Sequence, residues 1–297
     1  MNKRPFRNLT ILFKGAGDLA SGVAARLFRA NFRRIVMLEI PAPMAIRRFV
    51  SFSEAVHDDT MTVEGIEAVR VGGEKELAEA WRSGKIAVRV DPKWESIREL
   101  KPDVVVDAIL AKRNLGTNIW EAPLVVALGP GFTAGLDCHA VVETNRGHNL
   151  GRLIYRGKAE INTGIPGNIG GYTRERVLRS PSNGPFVVEK KIGDSVFKGE
   201  VIGRVGGLEV IASIPGVLRG LIRSGFPATQ GLKIGDIDPR GEGDYCYTVS
   251  DKARALGGAV LEAILGYYDL YDELDACQAG AGLANGGEAD GAALRCV

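Results

Sequence analysis

Short runs of Val, Ile and Leu recur through the first half of the chain, separated by stretches whose apolar residues fall at helical spacing. The runs at 10–14, 35–40, 86–90, 103–109, 124–128 and 138–143 predict β-strands, and the patterns at 19–31, 74–83 and 94–100 predict helices. A near-continuous apolar strand such as Asp103-Val104-Val105-Val106-Asp107 suits a parallel sheet covered on both faces. The expected fold class is α/β, with a Rossmann-like, mostly parallel sheet domain over 8–180. Residues 41–66 interrupt the alternation. Pro41 and Pro43 bar a helix directly after the second strand, so the segment is expected as an excursion at the carboxyl end of the sheet, where α/β proteins place ligands.

Between 181 and 249 the pattern changes to short β-runs punctuated by glycine. Residues 184–203 repeat in 216–235: Gly184, Gly193, Gly199 and Gly203 align with Gly216, Gly225, Gly231 and Gly235. Glycines at fixed spacing mark equivalent turns in two halves of a pseudo-twofold β-structure. The pattern resembles a small all-β lipoyl/biotinyl-like barrel-sandwich domain. The turn that carries a lysine in carrier versions of that fold is Gly206-Gly207 here, with no lysine nearby, which argues against a swinging-arm carrier. Ser250 is placed to cap a C-terminal helix over 250–271 that packs back, with Leu256, Val260, Leu261, Ile264 and Leu265 on its buried face. Residues 272–297 lack ordering aromatic and β-branched residues and are expected to form a disordered tail.

Composition narrows the classes. The chain has 297 residues, 45% hydrophobic and 25% charged, with a net charge of +2, which gives no reason to expect nucleic acid or an acidic membrane as partner. No run approaches the roughly 18 apolar residues of a membrane span. The basic start of the chain leads into a strand broken by Lys14 and not into a signal peptide. Four cysteines without C-x-x-C spacing suggest neither a disulfide framework nor a zinc site, and a cytoplasmic location is expected.

The strongest chemical signal is the corner Gly15-Ala16-Gly17-Asp18-Leu19-Ala20, a G-x-G-x-x-A turn between strand and helix. Such a turn admits a phosphate close to the backbone and offers it the positive end of the helix. Glu39, closing the next strand about 20 residues on, is placed where an acid holds a ribose hydroxyl. Arg47 and Arg48 with Ser51 and Ser53 could grip a phosphate or lie in a solvated loop. Asp107 closes another strand at the same sheet edge. Beyond it, Lys112 and Arg113 could meet a second anion, and Asn114 could bond a heterocycle edge. Gly129, Gly131 and Phe132 form a second glycine-rich loop, expected to approach a flat or phosphorylated ligand. His139, Glu143 and His148 are metal candidates by residue type, though their spacing matches no metal motif. Cys138 beside that loop raises sulfur or selenium transfer as a further option.

Several strings occur together: the Gly-Ala-Gly-Asp-Leu-Ala-Ser-Gly corner, 45–56, Gly129-Pro130-Gly131-Phe132, 139–148, Asn162-Thr163-Gly164-Ile165-Pro166-Gly167, 235–240 and the final Ser-Asp-Lys-Ala helix. In this combination, the chain resembles the YqeB family of selenium-dependent molybdenum hydroxylase system proteins from about residue 10 to 268. The resemblance implies an accessory role in maturing those hydroxylases, beside XdhC-like proteins that have Rossmann-type domains and handle molybdenum cofactor. It implies a molybdenum hydroxylase or the selenium-insertion machinery as partner. It carries over no catalytic residue. The residues suit a molybdopterin-type cofactor and an NAD(P)-like dinucleotide equally. An NAD(P)-dependent oxidoreductase and a non-catalytic scaffold with an empty cleft stay open, and a homodimer is the default for this size.

Overall fold

The computed structural model describes residues 6–281. The chain begins with β1 (Thr10–Lys14), α1 (Asp18–Arg29) and β2 (Arg34–Glu39), then passes through 3-10 turns to α2 (Ala55–Asp58). A hairpin of β3 (Thr60–Val63) and β4 (Ile66–Val71) follows, then α3 (Glu74–Arg82), β5 (Ile86–Val90), α4 (Ser96–Leu100) and β6 (Val104–Asp107). Next come β7 (Leu124–Leu128), β8 (Ala140–Val142) and β9 (Leu153–Ile154). These nine strands form one sheet in the order β3-β4-β5-β2-β1-β6-β7-β8-β9. Its interior pairs run parallel, while β3–β4 and β8–β9 are antiparallel.

The remaining strands are β10 (Val177–Arg179), β11 (Gly184–Val188), β12 (Ser195–Val196), β13 (Val201–Val205), β14 (Leu208–Ile211), β15 (Gly216–Leu221), β16 (Pro227–Ala228) and β17 (Lys233–Asp238). They form two four-stranded antiparallel sheets, β10-β17-β15-β12 and β14-β13-β11-β16. The short strand β12 pairs with β15 and β16 pairs with β11, so each half of the glycine repeat lends a strand to the other's sheet.

The expected Rossmann-like domain followed by a lipoyl/biotinyl-like barrel is thereby corrected to a large mixed sheet and a pair of antiparallel sheets. The physical reason lies at the edges. Glu64 and Gly65 both take positive φ and turn the chain back on itself, so part of the stretch read as an excursion becomes an edge hairpin. Val177–Arg179 pairs with β17 and adds a strand from before the glycine repeat to the second region.

Alternation along the parallel strands gives the large sheet two apolar faces. One face carries Ile11, Phe13, Ile35, Met37, Val104 and Val106 under α1 and α5 (Asp251–Ala281). The other carries Leu12, Val36, Leu38, Val105 and Val125 under Leu77 and Ala80 of α3, with Phe132. Helices α1 and α5 pack closely because small residues face each other: a Cβ on Gly22 would lie 2.6 Å from the Ala253 methyl, and one on Gly257 would lie 2.8 Å from Arg26 Cβ. Leu256, Val260 and Ile264 are buried as their spacing predicts, whereas Leu265 is 40% exposed. Helix α5 continues to Ala281, into the segment expected as a disordered tail, through residues such as Ala276, Gln278 and Ala279 that favour helix. The rest of that expected tail, 282–297, lies outside the described residues. Among the described residues no helix is long and apolar enough to cross a membrane.

Candidate functional site

The corner between β1 and α1 is braced from three sides. The Gly15 N–H donates to the Leu38 carbonyl at 2.8 Å, with φ at +90°, and a Cβ there would sit 3.3 Å from the Ala108 carbonyl oxygen. The Ala16 N–H donates to Glu39 Oε1 at 2.8 Å, and the Ala16 carbonyl accepts from the Ser53 N–H at 2.9 Å and Ser21 Oγ at 3.0 Å. The helix itself is left open. No side chain caps α1 at Gly17, so the N–H groups of Asp18, Leu19 and Ala20 have no intrahelical acceptor. A Cβ on Gly17 would meet nothing within 4 Å.

These groups face a cavity of about 850 Å³ between the carboxyl edge of the large sheet and the first antiparallel sheet. On one side its lining is apolar, with Ile40, Pro92, Trp94, Leu110 and Leu115. On the other it is cationic, with Arg146, Arg176, Arg179, Arg219, Lys233 and Lys252. Trp94, Leu110 and Lys112 hold φ of 59°, 61° and 63° on this lining, a strained state for non-glycine residues that concentrates at functional sites.

The charges around the cavity are unevenly satisfied. Glu39 accepts the Ala16 and Ile40 N–H groups, and burial raises its pKa. Asp91 caps α4 through the Glu95 and Ser96 N–H groups, and Glu160 accepts from Asn145 Nδ2 at 2.6 Å. Asp236 is held by Arg176 and Arg219. Asp18 pairs loosely with Arg47 at 3.7 Å. Among the described residues, by contrast, the ammonium groups of Lys112 and Lys252 make no hydrogen bond or ion pair. Lys252 sits in the first turn of α5, where the helix dipole opposes a cation. Burial, then the Arg146 charge, lowers its pKa. Sequence reading missed Lys252; a lysine directly after the capping Ser250 and Asp251 was the available signal.

The candidates divide. Gly15, Gly17, Asp18, Leu19, Ala20, Glu39, Arg47, Ser51 and Lys112 line the cavity. Ala16 is buried behind it as a backbone brace. Arg47 lines the cavity but is only 8% exposed, and its guanidinium donates to the carbonyls of Tyr245 at 2.8 Å and Thr248 at 2.7 Å, tying the two regions together. Arg48 donates to the Leu221 carbonyl and does not reach the cavity. Ser51 Oγ donates to the Arg47 carbonyl, so its expected phosphate grip is corrected to local bracing, while Ser53 Oγ is buried away from the cavity lining and makes no hydrogen bond.

Asp107 belongs to a buried network below the corner. Thr117 Oγ1 donates to it at 2.6 Å, and Lys14, buried under the Trp94 ring, donates to Thr117 Oγ1 and Glu121. Asn114 bonds the Gly116 and Thr117 backbone and shapes its own loop. The second glycine loop is closed by its own chain. A Cβ on Gly131 would lie 2.6 Å from Arg113 Cα, one on Gly129 would lie 2.6 Å from Thr144 Oγ1, and Phe132 is packed in the core. The expected ligand approach there is corrected to a close approach of backbone to backbone.

The metal candidates are not brought together. His139 Nδ1 accepts the Val125 N–H at 2.9 Å, Glu143 accepts the Asn145 and Glu160 N–H groups, and His148 is exposed. Among the described residues no group of three ligating side chains could hold a metal ion. Cys138 is fully buried, and burial, then Asp137 and Asp107, pushes its thiol pKa up to about 12, which opposes the thiolate that sulfur or selenium transfer needs.

The chain is 52% identical over 261 residues to the uncharacterized protein YqeB of Escherichia coli K12, an alignment covering 88% of this chain. The chain spans about half that relative's length, 48%. No protein-family model matches. Among solved structures, the product-bound ectoine utilization protein EutE (DoeB) from Ruegeria pomeroyi aligns at TM-score 0.25 and 11% identity, over 77% of this chain and 85% of that one. A succinylglutamate desuccinylase/aspartoacylase from Rhodobacter sphaeroides aligns at TM-score 0.25 and 16% identity, over 77% and 84%. At these values neither likeness carries an argument for this chain.

Proposed function

We propose that this protein binds an anionic, heterocycle-bearing cofactor of the molybdopterin or nucleotide class, as a cytoplasmic accessory to selenium-dependent molybdenum hydroxylases. The observation that carries the binding reading is the uncapped start of α1, whose free N–H groups open onto the cavity beside unpartnered lysines. The N–H groups of Asp18, Leu19 and Ala20 would hold the ligand's phosphate, and Trp94, Pro92 and Ile40 would offer apolar surface to its ring. Glu39 steadies the corner through the Ala16 N–H and offers its remaining acceptor capacity to a ligand hydroxyl. Such a group supplies redox or metal-carrying chemistry; the chain's own residues bind it, orient it and shield it from water.

The accessory role and its partners, a molybdenum hydroxylase or the selenium-insertion machinery, are supported by the combined motifs from the corner to the Ser250-Asp251-Lys252 helix start. The buried free thiols of Cys138 and Cys246 agree with a reducing compartment. The test is to purify the protein, release bound small molecules by denaturation, and identify them by absorbance and mass spectrometry. A phosphorylated pterin or nucleotide that is lost in Gly17→Val supports the reading. Recovery of the same molecule from Gly17→Val removes the corner from it, and a nicotinamide cofactor that turns over makes the protein an oxidoreductase instead.

A further inference from the structure

The region beyond the large sheet contributes more positive charge than it neutralises. Arg176, Arg219, Lys233 and Arg240 share two carboxylates, Asp236 and Asp238. Arg219 bonds both acids, and Asp236 is consumed by the guanidinium groups of Arg176 and Arg219. Lys233 is left with Asp236 at 3.8 Å, beyond hydrogen-bond reach, while Arg176 and Arg219, both more than nine-tenths buried, hold the cavity wall rigid. Lys252 adds a second ammonium from the start of α5, without any partner among the described residues. Both lysines line the cavity, and both feel the carboxylate of Asp18, the first residue of α1. They reach the cavity onto which the corner opens from β17 and α5, which belong to neither β1 nor α1.

A cation beside other cations costs free energy: Arg176 and Arg219 oppose the charge on Lys233, and Arg146 opposes the charge on Lys252. Burial lowers the pKa of both amines, and neighbouring arginines add to the effect. An anion held by these amines in the cavity offsets that repulsion and satisfies their donors.

We propose that Lys233 and Lys252 form a second anion subsite, so that the ligand class is a molecule with two anionic groups, as in a pyrophosphate-linked nucleotide, and not a monophosphate. This rests on the corner reading above. The first group lies on the start of α1, and the second spans to the two ammonium groups. Strand β17 of the antiparallel region and helix α5 thereby complete the site.

Calorimetry with inorganic phosphate and inorganic pyrophosphate tests this on the full chain, without assuming a heterocycle. The native protein binds pyrophosphate more tightly, and Lys233→Gln/Lys252→Gln weakens pyrophosphate by about tenfold or more while leaving phosphate unchanged. Lys252→Arg, which keeps the charge, retains most of the pyrophosphate affinity. Gly17→Val weakens both anions. Unchanged pyrophosphate affinity in the double lysine variant, with circular dichroism matching the native protein, overturns the second subsite. Unchanged binding of both anions in Gly17→Val, with pyrophosphate still lost in the lysine variant, overturns the corner reading alone. Absence of binding by either anion to the native protein overturns both.

Discussion

Two glycine-rich loops follow parallel strands at the same edge of the large sheet, and they end differently. After β1 the glycines open onto a cavity, with nothing within 4 Å of a Cβ on Gly17. After β7 the same chemistry is filled from within: the backbone of Arg113 lies where a side chain of Gly131 would go, and Phe132 is core. Glycine in such a loop says that something approaches the backbone closely. Whether that something is a ligand or another segment of the chain depends on what the rest of the molecule brings to that place. The segment from Leu110 to Thr117, shaped by Asn114 over the Lys14–Thr117–Asp107 network, is what plugs the second loop.

The largest expected effect breaks the closed loop. Gly131→Ala combines a φ of +112° with a Cβ inside 3 Å of the Arg113 backbone, and should cost about 3 kcal/mol or more of stability in denaturant unfolding. The open loop should respond in the opposite way. Gly17→Val should leave stability within about 1 kcal/mol of native, because its φ of −66° suits any residue. It should nonetheless weaken the anionic ligand by about a hundredfold. Equal losses of stability in the two variants would erase the distinction between the loops.

Gly15→Ala lies between the two. Its φ of +90° and the 3.3 Å approach to the Ala108 carbonyl predict a loss of about 1–2 kcal/mol, read as a lowered Tm with binding reduced only in proportion to misfolded protein.

The smallest effect concerns the clamp on the far wall, where Arg146 donates to both carboxylate oxygens of Asp251 at 2.6 and 2.8 Å. This pairing lowers the Asp251 pKa from 3.8 to about 2. The folded value lies below the unfolded one, so its stabilisation is complete above the unfolded value and is lost as pH falls through about 2. Asp251→Asn should remove that acid-limb dependence in pH-resolved unfolding. At neutral pH it should cost under about 1 kcal/mol, since Asp251 is largely exposed and solvent screens the pair.

What was legible in the sequence was local. Hydrophobic runs located β1, β2, β5, β6 and β7, because each strand buries a continuous apolar stretch whose signal needs no partner. The hairpin at β3 and β4 was missed, since only Val63 of β3 is buried and its alternation is too short to stand out. Arg47 and Arg48 were recognised as potential anion ligands by type, but their partners, the carbonyls of Tyr245, Thr248 and Leu221, lie far along the chain. Lys252 lay in the Ser-Asp-Lys-Ala string at the last helix start, but nothing in that string tells that its amine reaches the cavity.

The sequence by itself determined that a strand, a glycine corner, a helix and an acid follow one another, because backbone conformation and helix start are decided within a few residues. Only the tertiary structure decided that this corner stays open while its counterpart at Gly131 is plugged. It also decided that Glu39 braces the turn and that lysines from β17 and α5 line the same cavity. Burial and charge depend on which distant segments meet, and spacing along the chain does not encode that meeting.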